Sequence, residues 1–323
     1  MAKAQLILVV VDPTATEQPA VARGIDMARR LGMRLELLAC VHEGRPVSMP
    51  RGIEPLSARR AALCGQLEKL RELAAGCSDI EVVTRAIWDR PLYEGIIREI
   101  LRSEPRLVMK DSHYHSAISR ALITNTDWHL IRHCPVPLWL VRSGPWPSSP
   151  RIAAFVDPSH EMDKPADLDH RILDEAVTLA RELGGQMHAI HCHDSDALPA
   201  GFCAPCAGVE AAVLDAESQA EHAQWLQELL DEHDIPACRM HLHRGQATEM
   251  IPVIARDMGL ELAIMGAITR SRLQHAFIGS TTEQVLDKLS CDVLVVKPKR
   301  FESAVTYRPQ ASDFMAMDKP PGP

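Results

Sequence analysis

Short apolar segments alternate with amphipathic ones throughout the first half of the chain, and this alternation limits the possible folds more than any other feature. Leu6 to Val11 is a continuous apolar run that ends in Asp12-Pro13-Thr14, as expected of a central parallel strand with a polar tip. A helical pattern precedes each of four further strand patterns, at 35–41, 81–87, 107–110 and 136–141. Parallel strands need covering crossovers, which are right-handed, so this half predicts a doubly wound parallel sheet of five strands.

The same plan starts again after a Pro-rich segment. Ile152 to Val156 ends in Asp157-Pro158-Ser159, which matches the end of the first strand, and the helical ending Leu179-Ala-Arg-Glu-Leu-Gly184 resembles Met27-Ala-Arg-Arg-Leu-Gly32. A repeat of this length indicates two homologous domains rather than a solenoid. We therefore predict domains at 1–142 and 151–298, a stiff linker at 143–150 and a polar, Pro-rich, disordered tail at 299–323.

Composition narrows the class of partner. The 323 residues suit two domains, and no apolar run approaches the roughly 20 residues that a membrane helix needs. A formal net charge of -8 gives no electrostatic reason to expect nucleic acid or an anionic membrane as a partner. The nine cysteines are scattered without a disulfide framework, and the N-terminus leads directly into the first strand without a signal segment. We expect a cytoplasmic protein.

The stretch from Gly266 onward is the part of the sequence that most strongly indicates a ligand-binding site. An apolar run at 260–265 predicts a buried strand, and Gly266 follows it, where a glycine allows a ligand to approach the backbone closely. Thr269 comes three residues later, and nine more residues lead to Gly279-Ser280-Thr281. Ser280 and Glu283 form a capping-box pattern, which predicts a helix whose free N–H groups suit an anion.

This arrangement resembles the universal stress protein family, whose nucleotide-binding members carry Gly-x-x-Gly, nine residues and Gly-Ser/Thr at this place. Thr269 stands where that motif has its second glycine, and a β-branched residue would be strained there if a positive φ angle is required. The resemblance covers both halves and points to the tandem, E-type members. It implies that each half is an adenine nucleotide alpha hydrolase-like domain.

The resemblance also implies a ligand and its site in the C-terminal half. An adenine nucleotide, ATP or AMP, would be held by Asp157, with Pro158 and Ser159 beside it, and by Cys192 at the adenine. The ribose and phosphates would contact a second set of residues, Gly266, Thr269, Gly279, Ser280 and Thr281. The last strands of the two halves are expected to pair within the chain as a pseudo-dimer, and a homodimer of tandem chains is also open.

The N-terminal half has a degenerate version of this motif. Lys110 ends the fourth strand where the other half has Gly266, and Thr124-Asn125 stands in place of Gly279-Ser280. The capping pattern Thr124 to Asp127 persists without the glycines. We predict a structural role for this half, with the alternative that Lys110 holds an anion.

A zinc site is a further hypothesis. His191 and His193 alternate near a strand end, as do His241 and His243 on another strand, and Cys203-Ala-Pro-Cys206 has the close spacing of a zinc half-site. There is no paired-carboxylate or nucleophile–base pattern, so efficient catalysis is not indicated. We predict a stress-response role through binding; the alternatives are a ligand-free scaffold, a zinc-responsive protein and a slow ATPase.

Overall fold

The computed structural model describes residues 5–41, 56–112, 124–144, 146–159, 167–194, 207–267, 280–307 and 314–316. They divide into two compact units. Unit 1 contains the described residues up to Trp146 and those from Phe301 onward, and unit 2 contains those from Pro147 to Arg300. The boundary between Trp146 and Pro147 lies inside the Pro-rich segment. Within the described ranges, no helix combines the length and apolar character needed to cross a lipid bilayer.

Unit 1 is a parallel sheet with helices connecting its strands. Its elements in chain order are β1 (Leu6–Val11), α1 (Pro19–Leu31), β2 (Arg34–Val41), α2 (Leu56–Ala74), β3 (Val82–Trp88), α3 (Leu92–Ser103), β4 (Leu107–Asp111), α4 (Asn125–His133) and β5 (Leu138–Val141). The strand order is β3-β2-β1-β4-β5, and every one of these pairings is parallel. The order reverses at β1, so β1 and β4 flank the switch point at which such sheets bind ligands.

The core of unit 1 explains these elements. All six residues of β1 are buried, because this strand is central and covered on both faces. The inward face of α2 consists of the buried residues Leu63, Leu67 and Leu70, as the sequence predicts. The helix α1 ends where Gly32 takes a left-handed φ of 62°, which a residue with a side chain seldom adopts.

Unit 2 repeats the plan. It consists of β6 (Arg151–Phe155), α5 (Asp167–Leu183), β7 (Gln186–His193), α6 (Ala207–Asp231), β8 (Met240–Arg244), α7 (Ala247–Asp257), β9 (Leu262–Gly266), α8 (Ser280–Leu286) and β10 (Asp292–Val296). The strand order β10-β9-β6-β7-β8 is that of unit 1, and the pairings are again parallel. The predicted fold class, two tandem doubly wound parallel five-stranded domains, is confirmed.

The C-terminal segment differs from the disordered tail that the sequence predicts. Val305 is buried, and a short strand β11 (Phe314–Ala316) pairs antiparallel with β3 at the edge of the unit 1 sheet. The polar composition of 299–323 hides this short apolar stretch, and the unpaired edge of β3 supplies the hydrogen-bonding groups that it needs.

Candidate functional site

A cavity of about 590 Å³ opens in unit 1 at the carboxyl ends of its central strands. The ends of β1 and β2 form its floor, and α2 and α3 form its walls. Most of the lining is apolar, with Val10, Val41, Ala62 and Ile96 among the contributors. The polar groups lie at the strand tips, on α2 and at the start of α4, and they are Asp12, Thr14, Gln66, Lys69, Lys110, Thr124 and Thr126. Apolar walls with a few convergent polar groups are characteristic of small-molecule sites.

The polar tip of β1 is held by a local turn. The Asp12 carboxylate accepts hydrogen bonds from the Thr14 backbone N–H at 2.8 Å and from the Thr14 hydroxyl at 2.6 Å. The Gln18 side-chain amide donates to the Asp12 carbonyl at 2.7 Å. These bonds fix the direction of the chain at the cavity mouth, because an aspartate before a turn is satisfied by the backbone that follows it.

Lys110 lies at the inner end of the cavity and is already paired. Its Nζ is 2.7 Å from Oδ1 of Asp127, and the side chains are only 8% and 1% exposed. Asp127 also closes the predicted capping box of α4: its Oδ2 accepts the Thr124 N–H at 2.8 Å, and the Thr124 hydroxyl accepts the Asp127 N–H at 3.2 Å. The charge of Lys110 therefore neutralises the buried Asp127 carboxylate, so it is less available for the anion that the sequence analysis considered.

In unit 2, Asp157 and its neighbours reproduce the turn at the tip of the first strand. The Ser159 hydroxyl donates to Asp157 Oδ1 at 2.7 Å, as the Thr14 hydroxyl donates to Asp12. Pro158 and Ser159 line a smaller cavity of about 380 Å³. The remaining lining residues include three carboxylates and an indole, contributed by Asp169, Glu228, Glu232 and Trp225. Carboxylates at this point oppose a negatively charged phosphate.

Gly266 has a packing role in this structure. It is the last residue of β9, and a Cβ atom at this position would lie 2.6 Å from Cδ2 of Leu168 on α5. Its carbonyl accepts a hydrogen bond from the Thr282 hydroxyl at 2.9 Å. The glycine thus allows α5 to pack closely on the sheet, which is an explanation that involves no ligand.

The other predicted contacts of the nucleotide are placed as follows. Ser280 is the first residue of α8, and Thr281 follows it half-buried. Thr269 and Gly279 lie outside the described residues. Cys192 is half-buried near the end of β7, where burial raises the pKa of its thiol to about 12.

The four predicted zinc-binding histidines do not converge. Ile190 pairs with His241 and Cys192 with His243, so His241 and His243 lie on the face of the sheet opposite to His191 and His193. Strand alternation therefore prevents one zinc site from containing all four of these histidines. Cys203 and Cys206 lie outside the described residues, and within those residues no group of three or more His, Cys, Asp or Glu side chains could hold a metal ion.

A residue that the sequence analysis missed, His222 of α6, joins His191 instead. His222 Nδ1 is 2.9 Å from His191 Nε2, and the His222 ring stacks on His193 with centroids 4.7 Å apart. Trp225, one turn later, contacts the His222 ring edge-on at 5.0 Å. Aligning the helical apolar positions of the two halves of the sequence would have identified His222, because it takes the place of a leucine of unit 1.

Comparison with known proteins agrees with the fold and the duplication. A model of the universal stress protein family matches residues 4–142 and 162–297. The chain belongs to the universal stress protein family. The chain is 26% identical over 325 residues to universal stress protein E of Escherichia coli, a match that covers 97% of this chain and 100% of that protein. The predicted resemblance to tandem, E-type universal stress proteins is thereby confirmed.

Solved structures show the same fold at full length. A protein of unknown function from Pseudomonas aeruginosa has 25% identity and a TM-score of 0.69, with 91% of this chain and 93% of that chain covered. A universal stress protein from Archaeoglobus fulgidus has 16% identity and a TM-score of 0.56, with 90% and 98% covered. Both similarities extend over the two halves of this universal stress protein.

Proposed function

We propose that this universal stress protein acts in a stress response by binding an adenine nucleotide rather than by catalysis, and that the cavity of unit 1 holds the nucleotide. The observation that carries the proposal is the position of the 590 Å³ cavity at the carboxyl ends of β1, β2 and β4. Open parallel sheets bind their ligands at this edge, beside the strand where the order reverses. Cytoplasmic location is part of the same proposal.

The lining suits the parts of a nucleotide. Val10, Val41 and Ile96 offer apolar surface to a flat base, and the Asp12 carboxylate at the tip of β1 can accept a hydrogen bond from an amino group. Lys69 of α2 is exposed and contributes positive charge for a phosphate. This assignment moves the ligand away from the C-terminal half, where the sequence motif predicted it.

Unit 2 is the second candidate site for the same ligand. Two observations support a site in unit 2. The Ser159–Asp157 hydrogen bond repeats the turn of unit 1, and the motif residues Gly266, Gly279 and Ser280 belong to this half. Against it stand the carboxylates that line the neighbouring cavity and the contact between Gly266 and Leu168.

Calorimetric titration of the full chain with ATP and AMP can separate the two sites. Gly65 lines the unit 1 cavity, and a Cβ placed there would meet no atom within 4 Å, so Gly65→Phe fills the cavity without a backbone clash. Gly76→Phe is the matched control, because a Cβ at Gly76 is equally unhindered and Gly76 does not line the cavity. Gly279→Phe tests unit 2.

We expect one nucleotide per chain, at least about tenfold weaker binding in Gly65→Phe, and unchanged binding in the other two variants, since filling a pocket removes the volume the ligand needs. Loss of binding only in Gly279→Phe would transfer the site to unit 2. No binding at millimolar nucleotide, together with no nucleotide released from the denatured, untagged protein in mass spectrometry, would refute the proposal and leave the ligand-free scaffold.

A further inference from the structure

Three buried imidazoles meet inside unit 2 between β7 and α6. His191, His193 and His222 are 1%, 3% and 7% exposed, so water does not solvate any of them well. The ring centroids lie 4.7 to 6.4 Å apart. We call these residues the histidine trio. Histidine is the side chain whose charge changes most readily between pH 5 and 8, so a buried group of three calls for a physical explanation.

Unit 1 has apolar residues at the corresponding strand positions. β2 and β7 have eight residues each, and each begins two residues after the left-handed glycine that ends the preceding helix. His191 and His193 are the sixth and eighth residues of β7. In β2 these places are held by Ala39 and Val41, both buried.

The helix position is apolar in unit 1 as well. The buried residues Leu63, Leu67 and Leu70 of α2 have the spacing of His222, Leu226 and Leu229 in α6. His222 therefore takes the place of Leu63, which belongs with Val41 to one apolar cluster. Unit 1 has the same fold with three apolar residues at these positions, so the architecture does not require the imidazoles of unit 2.

The hydrogen bonds of the trio depend on its protonation. His191 Nδ1 is 3.1 Å from the carbonyl oxygen of Val156, which can only accept, so this nitrogen carries a hydrogen. In neutral His191 the Nε2 atom must then accept, and His222 Nδ1–H donates to it across 2.9 Å. If both rings are charged, two N–H groups face each other and the hydrogen bond is lost. If only one ring is charged, the hydrogen bond can remain, but the buried charge is not solvated by water, which is unfavourable.

We infer that the histidine trio is a proton-responsive device that holds α6 against β7 while its imidazoles are neutral and loosens this part of unit 2 in mild acid. The trio acts in this way whether or not either unit binds a nucleotide, so this role goes beyond the proposed function. Asp157, which follows β6, faces the trio, with its Oδ1 atom 3.9 Å from His191 Nδ1. Asp169 of α5 accepts the Asp157 N–H, and Arg244 of β8 lies beside His193 in the register of the two strands.

The direction of the response follows from the pKa of His191. Burial lowers this pKa from 6.5 to about 4, although Asp157 opposes the shift. Below pH 6.5 the unfolded chain therefore binds a proton that folded unit 2 does not bind, so stability is lost as the pH falls from 6.5 toward 4. For one such imidazole the unfolding equilibrium constant rises about 30-fold between pH 7.5 and 5.

Amide hydrogen exchange of the full chain, followed by mass spectrometry at pH 7.5 and 5, tests this device by comparing the wild type with a variant that carries the unit 1 residues. This triple variant is His191→Ala, His193→Val and His222→Leu. After correction for intrinsic exchange rates, the loss of protection in β7 and α6 between the two pH values should be about 30-fold greater in the wild type than in the triple variant. The triple variant should keep the remaining response, since His188, His241 and His243 on the opposite face keep their own lowered pKa.

The control is His170→Gln, whose imidazole is 40% exposed and lies outside the trio; this variant should behave like the wild type. Equal loss of protection of β7 and α6 in the wild type and in the triple variant would overturn the inference. If the triple variant does not fold, titration of the ring nitrogens of the wild type by NMR decides, with His191 assigned through His191→Gln. A midpoint below about 5 supports the device, and a midpoint near the ordinary 6.5 refutes it.

Discussion

Replacing Lys110 with methionine should destabilise unit 1 by about 3–5 kcal/mol, the usual cost of removing one partner of a buried ion pair. Methionine keeps the apolar stem of lysine, so the charge is the main loss. It leaves the carboxylate of Asp127, which is 0% exposed, without its cation. We expect a value near 3 kcal/mol, at the lower end of this range, because Asp127 still accepts the Thr124 N–H and hydroxyl at 2.8 Å each.

Urea unfolding monitored by tryptophan fluorescence can measure this loss. Four of the five tryptophans belong to unit 1 and only Trp225 to unit 2, so the signal reports mainly on unit 1. The control is Arg29→Met, which removes an ion pair of similar length, 2.6 Å to Asp79, whose side chains are 44% and 53% exposed. That variant should unfold at the wild-type urea concentration, because exposed pairs are well solvated.

The double variant Lys110→Met with Asp127→Asn completes the test. Its destabilisation should be smaller than the sum of the two single effects by about 1–3 kcal/mol, since each single variant strands the other group. A Lys110 variant as mild as the Arg29 variant would refute the conclusion that this lysine is committed to Asp127. It would reopen the possibility that Lys110 binds an anion in the cavity.

Three other predictions concern single positions. Gly266→Ala should cost about 1–3 kcal/mol through its clash with Leu168, and Leu168→Ala in the same chain should relieve that clash; additive losses would contradict the packing role. Burial, with a neighbouring glutamate, raises the pKa of Glu36 from 4.5 to about 8, so wild-type stability should fall as the pH rises from 4.5 to 8 and level off above 8. Glu36→Gln should abolish this decline in thermal unfolding scans from pH 6 to 9, and a persistent decline would exclude Glu36 as its cause. At pH 8, Cys192 should react with iodoacetamide far more slowly than exposed Cys238, as mass spectrometry of peptides can show; equal rates would contradict its raised pKa.

Most of the fold could be predicted from the sequence because buried parallel strands appear there as unbroken apolar runs. β1 was predicted at its observed bounds, and β2 differs by one residue at its start. The strand β9 was expected at 260–265 and runs from Leu262 to Gly266, because apolar character alone does not locate the last hydrogen-bonded residue. The strand β11 was missed, since three residues are too short to show a period of two.

The candidate site was harder to predict, because a glycine motif indicates only the conformation of the backbone. The volume of a cavity depends on the size of the side chains around it. The glycine pattern of the C-terminal half drew attention to Gly266, which the structure packs against Leu168. The cavity of unit 1 depends instead on small residues of α2, such as Ala62 and Gly65. No loop motif marks these residues, and their role emerges only when α2 is packed beside the ends of β1 and β2.

The two halves of this universal stress protein have therefore diverged in opposite ways. Unit 1 lacks the motif glycines and retains an apolar cavity at its strand ends, where Val41 is one of the lining residues. Unit 2 retains Gly266 and Gly279 and places a buried imidazole, His193, at the position of Val41. If the duplicated units had kept one task, we would expect similar side chains at these paired positions, because the same cavity needs the same walls. Different side chains at these positions are what we would expect if, as we propose, unit 1 binds a ligand and unit 2 responds to protons.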